Sequence, residues 1–133
     1  MNLKCPNSSA DFDASPTYFL RDFDIYDREE TLGRELNRYD PNDSVQLTEV
    51  LRRYFFEGGR VQELSVDHKT ELLRVLKISL DEDFDFASLL GPGSIADDFV
   101  LPGGWQIKNP REFFEQIYRE ASANWKLKRE QWF

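Results

Sequence analysis

The 133-residue sequence contains one cysteine and one histidine, and each scarcity removes a class of protein. A single thiol, Cys5, cannot close an internal disulfide, so packing must hold the fold, as in proteins of a reducing compartment. One His and one Cys more than sixty residues apart cannot assemble a structural zinc set, and no metal or other cofactor is expected. No window approaches the roughly 18 consecutive apolar residues of a membrane span. The first twenty residues lack the basic start and apolar run of a secretory leader, so a cytoplasmic protein without membrane contact is expected. Gly91-Pro92-Gly93 and Gly103-Gly104 fit neither glycine-rich phosphate-loop pattern. Basic residues are also in deficit: 17 Lys plus Arg face 25 Asp plus Glu, for a net charge of −8. Such a surface repels nucleic-acid backbone, so direct nucleic-acid binding is disfavoured and the expected partner carries positive charge.

Aromatic residues are plentiful. Eleven Phe and three Trp supply the bulky apolar area that a small core needs. Residues 1–14 read as a polar lead-in without apolar period. Ser15-Pro16 reads as a cap and first-turn proline for a short helix carrying Phe19, Leu20 and Phe23. Asp27 and Glu30 resemble a capping pair, and Leu32, Leu36 and Tyr39 predict an amphipathic helix over about 28–39, weakened at Gly33 by roughly 1 kcal/mol. After the turn at residues 40–43, Leu47, Val50, Leu51, Tyr54 and Phe55 predict a second helix ended by Gly58-Gly59. From Ser65, the stripe Leu72, Leu73, Leu76 and Leu80 predicts a third, with Lys69, Arg74 and Lys77 outside. Ala87 to Leu90 reads as a helical turn, with a short strand as the competing reading. Residues 91–108 read as an ordered loop anchored by Phe99, Val100, Leu101, Trp105 and Ile107, with room for one short strand. Asn109, Pro110 and Glu112 form the clearest helix start, leading into Phe113, Phe114, Ile117, Tyr118, Ala121 and Trp125 and running to about residue 128. The expected fold is mainly α: one domain over residues 1–133, with four to five helices and a short β-hairpin around 80–107 as the alternative.

The acidic excess is uneven. Residues 1–43 carry −5 and residues 80–105 carry −6 with no base, whereas 44–79 carry +1 and 106–133 carry +2. Asp81, Glu82, Asp83 and Asp85 crowd into five positions around Phe84, with Asp97 and Asp98 further along the same base-free stretch. Crowding of this kind favours a cation nearby. As a calcium loop the run fails, because Phe86 stands where a glycine is needed and Pro92 where a bidentate Glu is needed. As a protein-docking patch it offers carboxylates to steer encounter and a phenylalanine to bury; as a solvated acidic loop, its Phe residues would simply point into the core. Asp22, Asp24 and Asp27 form a second, weaker candidate patch.

Chemistry of other kinds finds little support. Nucleophilic catalysis needs a base beside a Ser, Cys or Thr, and the only imidazole, His68, stands in the first turn of a predicted helix, where an exposed position is the plainer reading. Twenty-five carboxylates make any acidic pair uninformative, and catalysis is not expected. Trp105 and Trp125 read as core residues. Trp132-Phe133, after Lys126, Lys128 and Arg129, suits either docking or folding back.

The run from Leu101 through Gly103-Gly104-Trp105 and Asn109-Pro110-Arg111-Glu112-Phe113-Phe114, on to Ile117-Tyr118 and Trp125, resembles the C-terminal part of bacterial immunity proteins of contact-dependent growth inhibition and related polymorphic toxin systems. The resemblance implies a cytoplasmic antitoxin that binds the C-terminal domain of its toxin, often a basic nuclease, one to one and covers its active site. It assigns no toxin-binding residues. Charge selects Asp81, Glu82, Asp83, Asp85, Asp97 and Asp98, with Phe84 as anchor and Asp22, Asp24 and Asp27 in reserve. The rivals are an acidic nucleic-acid mimic, such as an anti-restriction inhibitor of a host DNA-binding protein, and a small enzyme with paired carboxylates.

Overall fold

Capping chemistry starts the longer helices where the sequence places their caps. A computed structural model describes residues 3–6, 8–90, 101–102 and 104–125. Its α-helices are α1 (Leu32–Leu36), α2 (Ser44–Leu51), α3 (Val66–Asp81) and α4 (Pro110–Trp125). Asp43 caps α2 by accepting from the backbone N–H groups of Val45 and Gln46. Ser65 caps α3 through the His68 N–H, and Asn109 caps α4 through the Glu112 N–H at 3.1 Å. Each cap satisfies donors that the first helical turn leaves open.

Several stretches depart from regular α-helical spacing, and three of them shape the core. Pro16–Phe23 winds as a 3-10 helix that buries Tyr18, Phe19, Leu20 and Phe23. Beyond α2, Arg52–Phe56 forms a π turn, with the Glu57 N–H donating to the Arg52 carbonyl at 2.9 Å. The wider turn takes up one extra residue, so the pairs Val50, Leu51 and Phe55, Phe56 all face the core although they lie five apart. The third departure corrects the expected helix over 28–39. Only Leu32–Leu36 is α-helical, and Asp27, with φ of 61°, stands in a left-handed conformation rather than the extended one typical of an N-cap. Buried Ile25 draws the chain inward, and its carbonyl accepts from the Arg28 N–H at 2.7 Å, closing a turn that displaces the helix start. Gly33 makes this approach possible, since a Cβ there would lie 3.1 Å from Ile25 Cδ1.

These elements share one hydrophobic core in a single, mainly helical domain. Phe19, Phe23, Phe55, Phe114 and Ile117 are fully buried at its centre, and α3 packs along α4. Phe86 stacks on Phe114 at 4.8 Å, and Phe23 meets Trp105 at 5.3 Å. Trp125 lies at the margin, 6.4 Å from Phe19, with the Lys69 ammonium over its ring. No strand forms among the described residues. Where the hairpin alternative would begin, Leu80 and Asp81 belong to α3 and Phe86–Leu89 is a 3-10 turn. The lead-in is tied down at Lys4 and Asp11: Lys4 bridges antiparallel to Asp11, and His68 bonds the Lys4 carbonyl at 2.6 Å. Because a carbonyl only accepts, Nε2 of His68 carries a proton there, leaving Nδ1 to accept from the Ser65 N–H at 3.3 Å. The half-buried imidazole therefore joins a helix cap to the N-terminal strap.

Candidate protein-binding surface

The C-terminal end of α3 carries the acidic run. Asp81 closes the helix, residues 82–85 lead away from it, and Phe86–Leu89 turns back onto α4. Arg111 braces the junction by donating to the carbonyls of Leu80 and Glu82, which α3 leaves without helical partners. Below it, Phe86 is buried to 2% exposure against Phe114. Backbone and core thus hold a short segment whose remaining side chains face outward.

Those side chains differ in what they have left to offer. Asp81 lies 3.2 Å from the Lys77 ammonium, one turn earlier on α3. Asp85 is engaged in the fold: its Oδ1 accepts from the Ala87 N–H at 3.1 Å and caps the 3-10 turn. Glu82 and Asp83 are exposed and form no side-chain hydrogen bond or ion pair with the described residues. Phe84 sets its ring 5.0 Å from Phe86, edge to face, and remains 37% exposed; Ile78, one turn before Glu82, is 43% exposed. The base-free stretch in the sequence is therefore not free of cations in space, because Lys77 and Arg111 come to it from either side. Four carboxylates against two cations still leave the surface acidic, with apolar area between the charges. Among the described residues, no group of three or more His, Cys, Asp or Glu side chains could hold a metal ion.

The second candidate patch does not form one surface. Asp22 is half-buried and turned toward Gly59, where an added Cβ would lie 2.5 Å from its Oδ2. Asp24 accepts from the Tyr26 N–H at 3.1 Å, while its carbonyl accepts from the Arg28 guanidinium. Asp27 alone projects to solvent, beside Tyr26, which is 64% exposed. Asp97 and Asp98 lie outside the described residues, as does the pair Trp132-Phe133.

Reading the sequence missed the side chains that lock the loop before α4. Asn37 accepts from the Gly104 N–H at 2.8 Å, and the Trp105 indole donates to the Leu36 carbonyl at 2.8 Å. Asn42 donates to the Gln106 carbonyl and accepts from the Lys108 N–H. Both asparagines follow helical or turn segments whose local pattern looks like ordinary turn chemistry, and nothing in the sequence pairs them with residues more than sixty positions away. Gly104, Trp105, Gln106 and Lys108 are thus fixed by tertiary hydrogen bonds to α1 and the turn that follows it.

Compared with known proteins, the chain matches no family model, no curated protein and no solved structure. Among the described residues, no helix is long and apolar enough to cross a membrane.

Proposed function

We propose that the chain is a cytoplasmic immunity protein that neutralises a basic, nuclease-type toxin domain by binding it one to one, without catalysis of its own. The observation that carries this reading is the surface at residues 81–85: exposed Glu82 and Asp83 beside half-exposed Phe84, on a segment braced from below by Arg111 and Phe86. A rigid acidic surface with an apolar centre suits a cleft that otherwise binds phosphates, since carboxylates can take the place of the backbone while the phenylalanine supplies buried area. Preorganisation favours tight association because little side-chain and loop freedom remains to be lost.

The test is a pull-down with secreted C-terminal toxin fragments of the source strain at low and moderate salt, followed by association kinetics on any retained domain. One basic domain should be retained. The double variant Asp81→Lys with Asp83→Lys should slow its association about tenfold or more at low salt, with the effect shrinking as salt is added. Phe84→Ala should act mainly on dissociation, weakening the complex by about 1–2 kcal/mol. Retention of no basic domain at either salt would overturn the reading, and capture of a DNA-binding enzyme instead would favour a nucleic-acid mimic.

A further inference from the structure

Charges at the junction of α3 and α4 are placed against the helices that carry them. A helix is negative at its C-terminal end, where a base stabilises it and an acid does not. The last turn of α3 holds no base, closes on Asp81 and is followed by Glu82 and Asp83. The Lys77–Asp81 pair, with the base first, has the less favourable of the two orientations at this spacing. The start of α4 shows the converse: Arg111 stands second in the helix, at the positive end, where a cation is disfavoured. Its guanidinium reaches away from that end. Nη2 donates to the Leu80 carbonyl and Nη1 to the Glu82 carbonyl at 3.4 Å, while Nε lies 3.4 Å from Glu115 Oε1. One arginine thus crosses from the positive end of α4 to the negative end of α3, where it meets carbonyls that lack helical donors.

We propose that Arg111 is the positioning residue of the acidic surface: it holds residues 82–85 in place against their own repulsion and the α3 dipole, so that Glu82, Asp83 and Phe84 are presented already ordered. The inference rests on the reading of residues 81–85 as a binding surface. The donors of Arg111 go to backbone carbonyls, which leaves the Glu82 and Asp83 carboxylates open to a partner. Lys77, the other cation at this surface, bonds the Asp81 carboxylate instead, so it offsets charge without fixing the chain beyond α3. The far end of the segment is tied to the same helix, because Phe86 stacks on Phe114 of α4. A guanidinium presents its donors together from a rigid fork, whereas a lysine ammonium is a point charge on a flexible stem. Toward a basic partner Arg111 is a like charge. Its contribution to a complex therefore comes from order in the segment, which lowers the entropy lost on binding.

The test begins with NMR backbone order parameters of the isotope-labelled full chain, with no partner added. In the parent, residues 82–85 should be rigid, at about 0.85, and in Arg111→Gln they should fall below about 0.6 while residues 70–77 of α3 stay unchanged. Arg111→Lys, which keeps the charge and loses the fork, should give an intermediate loss and serves where Arg111→Gln does not fold. The second arm uses the basic domain retained in the pull-down. Arg111→Gln should associate no more slowly at low salt, since it removes a like charge, yet dissociate about fivefold faster or more. Arg119→Gln, which removes an exposed arginine about two turns further along α4, should leave dissociation unchanged. A residue that served stability alone would move neither the order parameters nor dissociation at a temperature where the chains are folded. Order parameters unchanged in Arg111→Gln, disorder spread through α3, or equally fast dissociation in Arg119→Gln would overturn the proposal and leave residues 81–85 as a binding surface. Retention of no basic domain would instead overturn that reading, with the order parameters still deciding whether Arg111 holds the segment.

Discussion

Residues 22–27 and 81–85 look alike in the sequence, each a short run of aspartates interrupted by phenylalanine, and the fold treats them in opposite ways. In the first, Phe23 is fully buried, Asp22 is wedged against the backbone at Gly59, and Asp24 shapes the turn that brings Ile25 inward. In the second, Phe86 takes the buried position, leaving Phe84 half-exposed and Glu82 and Asp83 open to solvent. Asp85 is the intermediate case, an acidic residue whose carboxylate caps a turn. Acidic sequence thus becomes acidic surface only where the backbone N–H groups and neighbouring cations do not engage the carboxylate first. This is why the two patches carry different weight as docking surfaces despite similar composition.

The comparison is broken most forcefully at Gly59. An alanine there would place its Cβ 2.5 Å from both the Asp22 carboxylate and the Phe55 carbonyl, and the carbonyl belongs to a helix that cannot move freely. Gly59→Ala should therefore lower stability by about 1–3 kcal/mol in denaturant unfolding. In an Asp22→Ala background part of that cost should vanish; strict additivity would show that Asp22 is not wedged there. A smaller effect sharpens the contrast within the other run. Asp85→Ala removes a cap and should cost about 1 kcal/mol, whereas Asp83→Ala should stay within about 0.5 kcal/mol. Equal costs would mean that both carboxylates serve the fold alike.

What the sequence made legible was local. Ser65, Asn109 and Pro110 announce their helices because a cap needs only residues within one turn, and α3 and α4 begin where those residues stand. The helix expected over 28–39 failed because its apolar spacing competes with the burial of Ile25, which lies outside that pattern and bends the chain through Asp27. Phe56 was absent from the expected stripe because a π turn shifts the helical period by one residue. At the candidate surface, the run of carboxylates could be read directly. Its bracing by Arg111 could not, since that contact joins residues about thirty positions apart through backbone carbonyls that carry no sequence signature.

Glu71 gives the finest test of the distinction between engaged and open carboxylates. It faces Arg74 one turn along α3, with both oxygens within 2.7 Å of guanidinium nitrogens. The hydrogen bond from Arg74 holds the Glu71 carboxyl below its ordinary value of 4.5, against the opposing effect of partial burial. A carboxyl that ionises more readily folded than unfolded stabilises the protein above the unfolded value, and that contribution disappears as pH falls through the folded one. Because the pair is partly exposed, the effect is small, about 0.5 kcal/mol at neutral pH and low salt. Glu71→Gln should therefore be less stable than the parent by that amount at pH 7. The difference should close as the pH is lowered below 4.5, and shrink at neutral pH when salt is added. A difference that persisted unchanged into acid would assign the loss to packing of the side chain rather than to its charge, and would move Glu71 out of the class of carboxylates that the fold engages through a cation.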